Sequence, residues 1–319
     1  MPPFPKPKFD YDYDLAVEVA ALRQYEQTEP GRAVPPKQAD RLLIATWNIA
    51  NLGVQQRREK DHRLIAEIVG WFDMVAIQEV ADGLNGMRTI YSFLPATYRT
   101  LVSDPSGNRE RQAFLYDSTK VRPLEKVGRL SVPPSELRHI KLPGVAQAFQ
   151  GFDRGPYMAA FQAGTFRFLL VNVHLFFGSD RDPADMDRRR LETFAIARWA
   201  DLRRKSAKAF THNIVPLGDF NLPQVAPGDP IYAVLTSRGL QLPAHSTQIG
   251  SSIASDSHYD QIAFFPGETK QDFTGQVGVF DFDGAVFPDL WRTRGRSDFL
   301  TFCKYYLSDH RPLWAEFRI

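Results

Sequence analysis

The sequence predicts an α/β fold built as one large domain. From Arg41 onward, short apolar runs alternate with amphipathic helical segments, and no linker interrupts residues 41–319. Several runs are apolar at consecutive positions, as expected of strands covered on both faces.

Residues 1–40 stand apart as an N-terminal extension. Pro2, Pro3, Pro5 and Pro7 keep its start extended, and Pro30, Gly31, Pro35 and Pro36 make a second break. Between them Leu15, Val19 and Leu22 recur at helical spacing, which predicts a short helix from Asp14 to Gln27 in a docked or loose arm. In residues 41–319 the expected strands are Leu42–Asn48, Met74–Gln78, Ala113–Tyr116, Tyr157–Ala163, Phe166–His174, Ile214–Gly218, Gln261–Phe265 and Leu313–Phe317. Helices are expected at about 57–71, 83–94, 184–205 and 229–238. The third is the clearest: Leu191, Phe194, Ala195 and Leu202 make an apolar face beside an arginine-rich one.

Composition narrows the function classes. The chain is 43% hydrophobic and 24% charged, with a net charge of +2, so a polyanion must be met by a local patch rather than by an overall basic field. Cys303 is the single cysteine, which excludes an intramolecular disulfide framework and a cysteine-pair zinc site. No stretch approaches the ~18 apolar residues of a membrane span, and the Pro- and Lys-rich start has no apolar signal core, so a cytoplasmic protein is expected. The chain has no Gly-x-Ser-x-Gly elbow, and Gly275–Gly278 lacks phosphate-loop spacing.

Chemistry gathers at strand ends. Leu42–Trp47 ends in Asn48, Met74–Ile77 in Gln78-Glu79, Phe168–Val173 in His174, and Val215–Leu217 in Gly218-Asp219-Phe220-Asn221. His258-Tyr259-Asp260 opens the Gln261 strand, and Ser308-Asp309-His310 precedes the last one. One such junction means little, because turns favour Asp and Asn. Six on one sheet edge would build a metal and phosphate site.

With these segments the chain resembles the endonuclease/exonuclease/phosphatase superfamily, whose members include deoxyribonuclease I and exonuclease III. The matching stretches are Ala45-Thr46-Trp47-Asn48-Ile49, Ala76-Ile77-Gln78-Glu79-Val80, Asn172-Val173-His174-Leu175, Gly218-Asp219-Phe220-Asn221, Tyr259-Asp260-Gln261-Ile262 and Ser308-Asp309-His310-Arg311-Pro312-Leu313. They occur in the family's order and cover nearly all of residues 41–319, which the resemblance marks as the catalytic domain. The resemblance implies a four-layer α/β/β/α sandwich, two packed mixed β-sheets flanked by helices, with the active site at one end.

It also implies roles. Glu79 is the expected ligand of Mg²⁺ or Mn²⁺, a hard cation that prefers oxygen, with Asn48 and Asp309 supporting it. His310 and Asp260 make an oriented pair, and either His310 or Asp219 is the general base, with Asn221 positioning the water. His174 is expected across the phosphate, binding an oxygen or protonating the leaving group. Arg154, in Phe152-Asp153-Arg154-Gly155-Pro156-Tyr157, and Arg111 are candidate phosphate grips. His62, His139, His212 and His245 read as structural or surface residues, while His258 lies near enough in sequence to approach the site.

For substrate, the inositol-phosphatase Cys-Asp-Arg variant is absent at Tyr259-Asp260-Gln261. Basic and aromatic residues interleave from Trp291 through Arg292, Arg294 and Arg296 to Phe299, Phe302, Lys304, Tyr305 and Tyr306, which suits phosphate contact plus base stacking. The competing reading puts those aromatics in the core and leaves the arginines solvated. The expected activity is a divalent-metal-dependent phosphodiester hydrolase, first a DNA-directed nuclease and alternatively a hydrolase of a lipid, inositol or nucleotide phosphate.

Overall fold

The computed structural model describes residues 3–28, 33–244, 247, 249–255 and 257–319. His245, and the break expected at Pro30 and Gly31, lie outside the described residues. The chain runs α1 (Leu15–Thr28), β1 (Arg41–Leu52), α2 (Glu59–Gly70), β2 (Met74–Ala81), α3 (Asn85–Phe93), β3 (Tyr98–Val102) and β4 (Glu110–Asp117). It continues with β5 (Arg122–Arg129), α4 (Pro134–Leu137), β6 (Tyr157–Ala163), β7 (Phe166–His174), α5 (Pro183–Arg204), β8 (Ile214–Asp219) and α6 (Pro230–Thr236). The last elements are β9 (Asp260–Ile262), α7 (Glu268–Asp272), β10 (Phe273–Val279), α8 (Pro288–Tyr306) and β11 (Leu313–Arg318).

Two mixed sheets result. One has the order β10-β11-β1-β2-β4-β3 and the other β5-β6-β7-β8-β9. Side chains alternate across a strand, so each sheet serves two cores. In β1, Leu42 and Ile44 face the second sheet and meet Phe161, Phe168 and Leu217, while Leu43, Ala45 and Trp47 face the helices outside. Helices α1, α2, α3 and α8 cover that outer face; α5 and α6 cover the outer face of the second sheet with Val171, Val173 and Ile214. This is the four-layer α/β/β/α sandwich. The consecutive apolar residues of β1 and β7 are explained by helices on one side and a sheet on the other.

The described part of the N-terminal extension is packed against the first sheet's helices. Leu22 is fully buried, the Tyr13 hydroxyl donates to Asp61 at 2.8 Å, and Glu18 accepts the Phe287 N–H at 2.9 Å. Residues 291–306, expected as an aromatic and basic binding segment, lie in helix α8, broken at Gly295 where φ is 77°. Phe299, Phe302, Tyr305 and Tyr306 are buried in the core, so they offer no face for stacking. That part of the expectation is overturned, and of the segment's aromatics Trp291 alone stays open, at 46% exposed.

Candidate active site

Strands β1 and β2 run parallel, as do β7 and β8, so their C-terminal ends carry Asn48, Glu79, His174 and Asp219 to one end of the sandwich. Strand β9 runs antiparallel to β8 and sets Asp260 opposite Asp219; β11 runs antiparallel to β1 and starts just after Asp309-His310. Topology alone therefore gathers residues that lie up to 262 positions apart (His310 minus Asn48).

Local backbone irregularity aims them. Pairing of β1 with β2 slips between Asn48 and Leu52, and pairing of β2 with β4 slips between Ile77 and Val80. Such bulges turn side chains out of the pleat. The slip leaves Glu79 at φ 60° and Asn51 at φ 51°. Asn tolerates the left-handed region, but a glutamate there carries strain of order 1–3 kcal/mol. Glu79 is held by bonds to both carboxylate oxygens: Asn48 Nδ2 donates to Oε1 at 3.0 Å and the Asn51 N–H to Oε2 at 2.8 Å. The Gly218-Asp219-Phe220-Asn221 run is equally constrained. A Cβ on Gly218 would meet the Val173 carbonyl at 2.1 Å, so only glycine lets β8 lie this close to β7. Asn221, at φ 53°, donates its N–H to Asp219 Oδ1 at 2.9 Å and its Nδ2 to the Leu175 carbonyl at 2.8 Å.

Asp219 lies between two histidines. His310 Nδ1 meets Asp260 Oδ2 at 2.6 Å, and His174 Nδ1 meets Glu110 Oε1 at 2.6 Å. Their Nε2 atoms stand 3.9 Å and 3.7 Å from Asp219 Oδ2, beyond hydrogen-bond reach, so each keeps a donor for another oxygen. Burial works against the His310 charge, but the facing Asp260, by charge and hydrogen bond, and then Asp219 hold its imidazolium well above the ordinary histidine range. His174 is also raised: burial and Arg154 oppose its charge, and Glu110 outweighs them. For Asp219, burial disfavours the charge, but His310 and His174, the Asn221 N–H and Asn48 Nδ2 hold its carboxyl below the usual range. Both histidines thus hold a proton more tightly, and Asp219 less tightly, than the free side chains do.

A donor set for a metal ion is present. Asp219, Asp260 and His310 bring ligand atoms within 4.8 Å of one another. Beside them Asn48 directs Nδ2 to Glu79 and to Asp219 at 3.0 and 3.1 Å. Two carboxylate acceptors require the amide nitrogen there, and this leaves Asn48 Oδ1 buried without a hydrogen-bond partner among the described residues. An orphaned amide oxygen beside Glu79 suits a hard cation. Asp309 has a cationic neighbour. Its Oδ2 pairs with Lys304 Nζ at 2.8 Å, which leaves Oδ1 as the oxygen it could offer a cation.

The two candidate arginines are bonded within the protein. Arg154 is 8% exposed, and its Nε and Nη2 donate to the carbonyls of His174 and Leu175 at 2.9 and 2.6 Å, while Nη1 bonds Asp153. Arg111 is spent likewise on Ser103 and Asp82. Each thus spends one donor of every guanidinium nitrogen on the fold, which leaves two of its five N–H groups. His62 and His212 bond backbone carbonyls, His139 is exposed, and the His258 N–H bonds the Pro223 carbonyl.

Other residues at the site carry roles that reading the sequence missed. Glu110 orients His174. Ser308, fully buried, donates to the Asn48 carbonyl at 2.6 Å and accepts the His310 N–H at 3.0 Å, tying the β1 end to the histidine. Asn172 accepts from Gln78 Nε2 at 2.7 Å and donates to the Ile77 and Ala113 carbonyls, bridging the two sheets beneath the site. Arg189, fully buried, donates to the Asn221 and Phe177 carbonyls and pairs with Asp180. The available signals were positions inside the matching stretches: Gln78 beside Glu79, Asn172 two residues before His174, and Ser308 before Asp309.

The fold has counterparts among solved structures. A Bacteroides thetaiotaomicron endonuclease/exonuclease/phosphatase family protein superposes with a TM-score of 0.57 at 18% identity, over 87% of this chain and 94% of that one. The chain has the endonuclease/exonuclease/phosphatase fold. D. rerio TDP2 complexed with a single-strand DNA product gives a TM-score of 0.56 at 14% identity, over 88% and 99% of the two chains. The human Nocturnin catalytic domain with bound sulfate gives 0.54 at 12%, over 91% and 99%. At such identities the likeness establishes fold alone. A protein named deoxyribonuclease from Thioalkalivibrio sp. (strain K90mix) is 34% identical over 190 residues, 57% of this chain and 46% of the relative. The match thus spans about half the length of that relative. No family model matches the chain. Among the described residues no helix is long and apolar enough to cross a membrane.

Proposed function

We propose that the protein is a divalent-metal-dependent phosphodiester hydrolase that cuts DNA by direct in-line attack of water. Residues 41–319 are its catalytic domain and residues 1–40 an N-terminal extension. The observation that carries the reading is Asp219 set between two carboxylate-oriented histidines beside Glu79 and Asn48. Attack on an anionic diester needs a base for water, positive charge for the phosphate and a proton for the leaving oxygen. Asp219, ionised at neutral pH, accepts the water proton; His310, already protonated, is a poor base and instead holds a phosphate oxygen. His174 gives its Nε2 proton to the departing oxygen as the P–O bond breaks. Asn221 fixes the carboxylate that receives the proton.

Glu79 and Asn48 Oδ1 are the residues that would hold Mg²⁺ or Mn²⁺, with Asp219 adjoining. Such an ion supplies charge neutralisation at the phosphate. DNA is favoured as substrate by the name of the Thioalkalivibrio relative and by the DNA product on the TDP2 neighbour. The buried, unpaired Cys303 suits a reducing compartment, in line with a cytoplasmic protein.

Plasmid, single-stranded DNA, RNA, an inositol phosphate and a lipid phosphodiester, each incubated with Mg²⁺ or Mn²⁺, test the assignment. The reading expects DNA to be cut fastest. Turnover of an inositol or lipid phosphate with DNA left intact contradicts it.

A further inference from the structure

A cavity of about 560 Å³ lies behind the His310 segment, walled by Ile253, Val286, Pro288, Phe299 and Leu300 and rimmed by Trp291, Arg292 and Arg296. It is joined to the site through the backbone. The Ile253 N–H bonds the Asp309 carbonyl at 3.0 Å, the Arg311 N–H bonds the Ser251 carbonyl at 2.6 Å, and Ser252 bridges His310. Alternate residues of an extended segment face opposite ways. His310 accordingly meets Asp260 and the site, while Arg311 turns into the cavity wall and clamps Asp283 through Nε and Nη2, both at 2.6 Å. The break at Gly295 interrupts α8 between Arg292 and Arg296, and both line the cavity.

We propose that this cavity takes one unstacked base of the DNA strand where the strand passes the His310 segment, with Trp291 as the stacking platform and Arg292 and Arg296 meeting the flanking phosphates. The proposal rests on the nuclease reading above. Its chemistry is on the rim. Trp291 is held edge-on against buried Phe299, with centroids 5.1 Å apart, yet keeps 46% of its surface open. A rigid, half-exposed indole over apolar walls suits the π-face of any base. Arg296 Nη2 donates to the Ala254 carbonyl at 3.0 Å, and among the described residues no carboxylate lies within ion-pair distance of it. Arg292 pairs with the exposed Asp289, a partner that phosphate can replace. The volume falls in the range of small-ligand sites, about 300–1,000 Å³.

The test compares Trp291→Ala, Trp291→Phe and Arg296→Ala with wild type on a short single-stranded oligonucleotide and on a minimal chromogenic phosphodiester. Stacking of one base is worth about 5- to 150-fold in affinity. Trp291→Ala should therefore raise KM for the oligonucleotide about tenfold with kcat unchanged, Trp291→Phe should restore most of it, and the chromogenic ester should not respond. Removing the base opposite the cavity with an abasic residue should erase the difference between Trp291→Ala and wild type. Melting temperatures of all variants establish that they fold; if Trp291→Ala does not, Arg296→Ala on the open rim carries the same comparison. An oligonucleotide KM that no variant changes, in an enzyme that cuts DNA, overturns the cavity proposal and leaves the nuclease reading standing. Wild-type protein that turns over the chromogenic ester but no DNA overturns both.

Discussion

Asp219→Asn should lower kcat on DNA by about 10²–10⁴-fold, the scale of a lost acid–base group. The amide keeps the shape of the carboxylate and can still accept the Asn221 N–H through its oxygen, so the fold should persist while the proton acceptor is gone. His310→Ala should cost a similar factor by removing the charge that faces the phosphate. Asp260→Asn should cost less and leave a different signature. With its partner neutral, His310 loses the negative charge that raises its pKa and keeps only an amide oxygen as acceptor, so the alkaline limb of the pH–rate profile should move to lower pH. The same pair predicts a stability trend. Because the folded protein holds the His310 proton more tightly than the unfolded chain, the pair stabilises the fold fully below about pH 6.5. That contribution fades as pH rises through the raised folded value, so wild type and Asp260→Asn should converge in urea midpoint toward alkaline pH. Near-native kcat in folded Asp219→Asn and His310→Ala would show that the chemistry lies elsewhere.

Metal removal should have the other large effect. With trace metals excluded, EDTA should abolish turnover of DNA and of a minimal diester alike, and Mg²⁺ or Mn²⁺ should restore it. Ca²⁺ coordinates more loosely and should not support the same rate. Glu79→Gln tests the proposed ligand without relying on activity. Calorimetric titration of Mn²⁺ should show one site in wild type and a markedly weaker one in the variant. A carbonyl oxygen replaces a carboxylate there, and the Asn51 N–H loses an ionised acceptor. Full turnover in EDTA, or unchanged Mn²⁺ affinity in Glu79→Gln, would contradict the role.

What could be read from the sequence follows burial. Strands β6 and β7 appear at their expected bounds, and β1, β2 and β8 within a few residues, because their consecutive apolar positions face two cores. Strands β3, β5 and β10 were not legible. They lie at sheet edges, and their exposed, charged positions break the apolar run, as in Arg122-Pro123-Leu124-Glu125-Lys126-Val127-Gly128-Arg129. Helix α8 was hidden by Gly295 and its arginines, which made a buried helix resemble a binding loop. The acids and histidines at the site were legible because they sit at strand ends within short motifs. Glu110 with His174, and Arg189 with Asn221, were not, since their pairing depends on how β4 and α5 pack across the fold. The same limit explains Arg154 and Arg111: residue type suggests a phosphate grip, but only the structure shows a donor of each nitrogen bonded within the fold.

The most direct test of the central claim is the stereochemistry at phosphorus. A DNA substrate carrying one phosphorothioate linkage of defined configuration, cut with Mn²⁺ in ¹⁸O-labelled water, reports how many displacements occur. A single in-line attack by water, with Asp219 taking its proton, predicts inversion of configuration. Retention would mean two displacements through a covalent phosphoryl-enzyme and would contradict direct attack at this site.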